Sequence, residues 1–148
     1  LDRYDITMND VPVYQAASVV TVSVVEDRAL AQCLQQTLND NQATTFTALT
    51  SLNCSHGGIT TLAGLEQFTG LESVKLSGNQ IRNLLVLERL SALEALWLDD
   101  NTIIDPVPVL RMATIRQLNL LGNTTLQCPA PTEIPPRIVI TLPEHCGS

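Results

Sequence analysis

The stretch Leu71-Glu-Ser-Val74-Lys-Leu76-Ser-Gly-Asn79-Gln-Ile81 recurs along the chain at a fixed interval. Twenty-two residues on it reads Leu93-Glu-Ala-Leu96-Trp-Leu98-Asp-Asp-Asn101-Thr-Ile103, and then Ile115-Arg-Gln-Leu118-Asn-Leu120-Leu-Gly-Asn123. One interval earlier it reads Leu49-Thr-Ser-Leu52-Asn-Cys54-Ser-His-Gly57-Gly-Ile59. Starts at 49, 71, 93 and 115 keep one period without a slip. Alternation places Val74 and Leu76 on one side of a short strand, and Ser73, Lys75 and Ser77 on the other. So short a strand is not stable alone; it must stack on its counterpart in the next copy, about 4.8 Å away. The Asn at 79, 101 and 123 stands where the chain leaves the strand. Its amide both donates and accepts, so it can satisfy backbone groups that the turn would bury unpaired. Gly57 holds that place in the first copy.

The second half of each copy has its own spacing. Ile59, Leu62, Leu65 and Phe68 correspond to Ile81, Leu84, Leu87 and Leu90, and to Ile103, Pro106, Val109 and Met112. Steps of three predict short helical or 3₁₀ turns on a return limb. Pro106 and Pro108 argue against a regular α-helix in the third copy. The form L-x-x-L-x-L-x-x-N-x-I/L at this period resembles the 22-residue leucine-rich repeats of the internalin-like families. The resemblance covers residues 27 to 146. It implies an α/β solenoid, a short horseshoe with a parallel concave sheet of about five strands, an N-terminal capping helix and a C-terminal disulfide cap. The expected divisions are an extended or hairpin segment at 1–25, a capping-helix region at 26–48, repeats at 49–128 and a cap at 129–148.

Hydrophobic residues make up 45 % of the chain but aromatics only 3 %. Thin Leu layers leave little room for rings. A formal charge of −7 argues against nucleic acid and anionic membrane surfaces as partners. No apolar run approaches the ~20 residues of a membrane span. The four cysteines allow three connectivities, with reduced buried thiols as the alternative. The local pairing, Cys33 with Cys54 and Cys128 with Cys146, staples both ends of a solenoid, where terminal repeats expose core. Each such bridge closes a loop of about 20 residues, worth on the order of 3 kcal/mol in the chain-entropy model. Without a C-x-x-C and with distant histidines, zinc is not expected. Disulfides point to an extracytoplasmic setting, whether periplasm, cell surface or secreted medium.

At the start, Tyr4-Asp-Ile6-Thr-Met8 and Val11-Pro-Val13-Tyr14 flank Asn9-Asp10 and read as a short β-hairpin, with Pro12 confining one limb to an edge. The chain opens on Leu1, so it is read as mature or trimmed, and a lipid anchor just upstream of Leu1 is one expectation. Glu26-Asp27 opens a helix whose stripe of Ala29, Leu30, Cys33, Leu34, Thr37 and Leu38 faces the first coil, and Asn39-Asp-Asn41 ends it. A capping helix carrying a Cys before a first repeat ending in L-x-C is similar to the start of many secreted bacterial leucine-rich-repeat proteins. Near the other end, residues 129 to 136 read as a rigid extended return. Ile140 and Leu142 follow Leu118 and Leu120 by one period as a fifth, degenerate strand in which Arg137 replaces the leading Leu.

No catalytic pattern is present. His56 falls in a loop column with Gly78, Asp100 and Gly122, and His145 has no identifiable acid or nucleophile beside it. Asp99-Asp100 and Asp105 lack the D-x-D-x-D-G spacing of a calcium loop. There is no G-x-S-x-G, P-loop or H-E-x-x-H. An enzyme is therefore not expected, nor a cofactor or a metal.

The outward strand positions form three columns: Ser51, Ser73, Ala95, Gln117, Val139; Asn53, Lys75, Trp97, Asn119, Thr141; and Ser55, Ser77, Asp99, Leu121, Pro143. Trp97, the single tryptophan, stands at the middle of that face. An aromatic ringed by polar groups is what an interface anchor looks like; the blander reading has it merely covering the sheet under the Lys75 stem. The expected binding residues are Trp97, Lys75, Asp99, Asn119, Leu121, Gln117 and Asn53. The leading function is binding of a protein through the concave face. The alternatives are a glycan or peptidoglycan module using Trp97 as a stacking platform, and a structural part of a cell-envelope complex.

Overall fold

Inward and outward positions fall where the 22-residue period puts them. The computed structural model describes residues 25–147, so the hairpin expected before Val25 lies outside the described residues. Strands β1 (Ser51–Asn53), β2 (Ser73–Lys75), β3 (Ala95–Trp97), β4 (Gln117–Asn119) and β5 (Val139–Thr141) form one parallel sheet in chain order. Every pair keeps the same offset, as in Leu52↔Val74, Val74↔Leu96, Leu96↔Leu118 and Leu118↔Ile140. The core is a stack of layers. Leu52, Val74, Leu96 and Leu118 supply one column from the sheet, and Cys54, Leu76, Leu98 and Leu120 the next. Ile59, Leu62, Leu65 and Phe68, with their counterparts in the following coils, close each layer from the return limb. Burying one such side chain is worth roughly 2 kcal/mol.

The asparagine column is an explicit account of backbone groups. Asn79 Nδ2 donates to Leu76 O at 2.9 Å in its own coil and to Cys54 O at 3.0 Å in the coil before. Its Oδ1 accepts from Gly57 N at 2.9 Å and Ile59 N at 3.0 Å. Asn101 bonds Leu76 O, Leu98 O and Ile81 N, and Asn123 bonds Leu98 O, Leu120 O and Ile103 N, in the same way. Each Asn thus serves the coil preceding its own. The first coil has no repeat before it, which is why Gly57 suffices there.

The next turn is left-handed in each coil: φ is 58° at His56, 70° at Gly78, 57° at Asp100 and 81° at Gly122. The His56 ring lies over Gly78, and the Asp100 carboxylate over Gly122, in the space that a Cβ would need. Long side chain and glycine therefore alternate from coil to coil.

Helix α1 (Arg28–Asp40) caps the N-terminal end, burying Leu30, Ala31, Leu34 and Leu38. Ala31, which was not in the expected stripe, is buried, whereas Ala29 and Cys33 pack at its margin. Asp27 is the N-cap, accepting from Leu30 N at 3.1 Å. The bridge Cys33–Cys54 joins α1 to the first coil, and Cys128–Cys146 joins the last coil to the terminus. Among the described residues no cysteine is free.

Two expectations are corrected. The third coil contains an α-helical turn, α2 (Val107–Leu110), while the two return limbs before it use 3₁₀ turns at Leu65–Gln67 and Leu85–Arg89. Pro106 is its N-cap and Pro108 lies in its first turn, where no N–H is needed and a fixed φ assists the start. The prolines thus begin a helical turn instead of forbidding one. Residues 129 to 136 are not uniformly extended: Pro131–Glu133 is a 3₁₀ turn, held by Glu133 Oε1 accepting from Ala130 N at 2.7 Å. In the last coil Ile138, not residue 137, enters the core, and Arg137 donates to Met112 O at 2.9 Å.

Candidate interaction surface on the concave sheet

Strand register sets Trp97 between Lys75 on β2 and Asn119 on β4. Leu96 and Leu98 on either side are buried, so alternation sends the indole to the open face, where it is partly covered. Lys75 Nζ lies 5.2 Å from the ring centroid, a cation–π contact across neighbouring coils. One face of the indole is therefore taken by the lysine.

The other expected residues divide by what already holds them. Asp99 Oδ1 accepts from Ser77 Oγ at 2.7 Å, one coil back. Asn53 Oδ1 accepts from Ser55 N at 3.2 Å and Ser55 Oγ at 2.8 Å, and Asn119 Oδ1 accepts from Leu121 N at 3.0 Å. These side chains are oriented by their acceptor atoms. Among the described residues the Nδ2 groups of Asn53 and Asn119 have no protein partner, nor does the exposed Gln117 amide. Leu121 is 46 % exposed and Val139 72 %, both large apolar residues on the open side of the sheet. Val139 is an addition to the expected set. Alternation marks it as outward, but only its exposure beside Gln117 marks it as part of the apolar patch. The face is thus polar towards β1 and β2, while towards β4 and β5 the exposed apolar residues Leu121 and Val139 are interspersed with Gln117, Asn119 and Thr141.

Nothing on this face resembles a catalytic centre. His56 is exposed in its turn, and His145 Nε2 lies 2.9 Å from Leu126 O, beside a closed bridge. Cys128, His145 and Cys146 bring their side-chain donors within 4.8 Å of one another, yet both sulfurs are spent on the disulfide and offer no thiolate. Asp99, Asp100 and Asp105 do not converge with other ligands among the described residues. The clefts lie elsewhere. One of about 290 Å³ is lined by Arg82, Leu85, Ile104 and Asp105 on the return limb, and one of about 690 Å³ lies beside Val25, Arg28 and Gln32. No described helix is long and apolar enough to cross a membrane.

No protein-family profile and no curated protein matches the sequence. Solved structures do. Internalin C2 of Listeria monocytogenes is similar over 76 % of this chain and 52 % of its own, with a TM-score of 0.67 at 21 % identity. The fold is a short leucine-rich repeat solenoid. An internalin, InlF, of the same species matches 82 % of this chain and 46 % of its own, with a TM-score of 0.49 at 20 % identity. The leucine-rich repeat chain described here spans about half the length of these two internalin structures, at 52 % and 46 %. At these identities the likeness is one of fold.

Proposed function

We propose that this leucine-rich repeat protein is an extracytoplasmic interaction module that binds another protein through the concave face centred on Trp97. The observation that carries the reading is the partly exposed indole on the same face as exposed Leu121 and Val139, among amide donors of Asn53, Asn119 and Gln117 that have no partner among the described residues. An apolar anchor within a ring of fixed polar groups is the anatomy of a protein-binding hot spot. Asp99 and Lys75 set its charge pattern, each already oriented by a neighbouring coil. Two disulfides support an oxidising compartment. The Lys75 ammonium over the indole counts against a sugar stacking there.

The test compares proteins retained by the wild-type chain and by Trp97→Ala from an extract of secreted and envelope proteins, with a glycan array in parallel. Loss of about 2 kcal/mol or more in affinity for a retained protein, roughly 30-fold, is expected, with little change in Tm. Equal retention by both chains would sink the reading, and glycan binding abolished by Trp97→Ala would replace it.

A further inference from the structure

Among the described residues, nothing pairs with the C-terminal edge of the sheet. Val139 N donates to Arg116 O at 2.8 Å, and Thr141 O accepts from Leu120 N at 2.8 Å. Successive residues of a strand turn their N–H and C=O to opposite edges, so Ile138, Ile140 and Leu142 turn theirs away from β4. Ile138 N is occupied by Pro135 O at 3.1 Å. The N–H and C=O of Ile140 and Leu142 and the C=O of Ile138 have no partner among the described residues. The closing turn does not reach them: Cys146 N bonds Pro143 O, and Gly147 N bonds Glu144 O. Side chains tell the same story. Ile140 and Leu142 are half-buried, whereas Leu118 and Leu120 one coil earlier are buried. The strand Val139–Thr141 carries no lysine, proline or bulge, the usual guards of a free edge.

We propose that β5 pairs antiparallel with β5 of a second copy of this chain, about a two-fold axis at Ile140. Three observations select a second copy over another occupant. The free edge groups pair with themselves about Ile140, apart from Ile138 N, which Pro135 O already holds. Ile140 exchanges both its bonds with its own mate, and each Leu142 N–H meets the other copy's Ile138 C=O. The flanks carry opposite charges, with Glu144 exposed and Arg137, also exposed, holding Met112 O through one guanidinium nitrogen only. Antiparallel pairing brings each arginine towards the other copy's glutamate, whereas parallel pairing would set like beside like. The opposite edge is taken, since α1 packs against β1 and is bridged to Cys54, the residue that follows β1. Edge pairing therefore stops at two copies and cannot run on into a filament. It covers Ile140 and Leu142 with the same residues of the mate, and it sets each Val139 opposite the other copy's Thr141 on the concave side. The inference stands apart from the binding role of Trp97, and its test keeps the two distinct.

Sedimentation equilibrium of the whole chain from micromolar to millimolar concentration reads the association directly. A monomer–dimer equilibrium is expected, unchanged in Trp97→Ala. Val139→Lys combined with Thr141→Lys sets lysine against lysine across the pair and weakens association by roughly tenfold or more. Val139→Glu combined with Thr141→Lys sets opposite charges across it, and restores a dimer whose affinity falls as salt rises. Both changes are on the solvent side, so Tm reports whether the monomer is intact. Amide exchange at Ile140 and Leu142 slows in the dimer. A chain that stays monomeric at millimolar concentration, or a dimer indifferent to the double lysine variant, overturns the proposal.

Discussion

The two ends of this solenoid solve the same problem differently. At the N-terminus a thirteen-residue helix lays Leu30, Leu34 and Leu38 over the first coil and is bridged to it at Cys54, which is buried. Asp27 adds a polar clasp: while capping α1, its Oδ2 accepts from Thr60 N at 2.8 Å, Thr60 Oγ1 at 3.2 Å and Thr61 N at 3.3 Å. At the C-terminus a three-residue turn, Glu144–Cys146, and an exposed Cys128 close the chain, and Ile140 and Leu142 stay half-buried. One end is sealed by a packed element; the other is tied off but, among the described residues, left with an unpaired strand edge. A terminal layer is protected by area covered, and a cross-link alone does not cover it.

Removing the bridges is the strongest way to break that contrast. Replacing Cys33 and Cys54 by Ala is expected to cost about 4 kcal/mol, ~3 for the lost cross-link and ~1 for the cavity at Cys54. Replacing Cys128 and Cys146 is expected to cost the ~3 kcal/mol alone, since Cys128 has no cavity to leave. Urea unfolding of both variants checks this, and equal costs would erase the asymmetry. Packing gives the next largest effect. Leu34→Ala should cost about 3 kcal/mol and Leu142→Ala about 1 kcal/mol by the same measurement, because only Leu34 is fully enclosed.

The Asp27 clasp comes third. Asp27→Ala is expected to cost about 1 kcal/mol at neutral pH, mainly through the lost cap, since the exposed N–H groups of Thr60 and Thr61 turn to water. Partial burial raises the Asp27 pKa, but hydrogen bonds from Thr60, Leu30 and Thr61 outweigh it and hold the carboxyl below its ordinary 3.8. A depressed folded-state pKa contributes stability that is fully present above the unfolded value and is lost as pH falls through the folded one. The gap between wild type and Asp27→Ala should therefore narrow below pH 3.8 in acid unfolding. A gap that persists unchanged in strong acid would show that the carboxylate is not its source. The smallest effect belongs between the ends: Trp97→Ala should change stability by less than about 0.5 kcal/mol in the same urea experiment, as a change on the open face.

Much of the concave face was legible as positions and little of it as state. The columns placed Trp97 beside Lys75 and Asn119 because a strand's period of two leaves no other register once the inner column is Leu. They carried no information on which groups remain unspent. That Asn53 and Asn119 turn their acceptors into their own turns, that Asp99 holds the Ser77 hydroxyl, and that Val139 stands most exposed of the patch all depend on neighbours one coil away.

The sequence by itself determined the repeat, its register, the limits of α1 and the asparagine column, and it favoured the local pairing of the four cysteines that the structure shows. Each follows from short-range periodicity, or from the ends of a stack whose layers are all alike. Only the tertiary structure decided that Asp27 clasps Thr60 and Thr61, that Pro106 and Pro108 start a helical turn, and that β5 keeps an edge unpaired among the described residues. These depend on which groups of separate coils come within hydrogen-bonding reach, or on what is left uncovered when the stack ends, and neither quantity has a period to read.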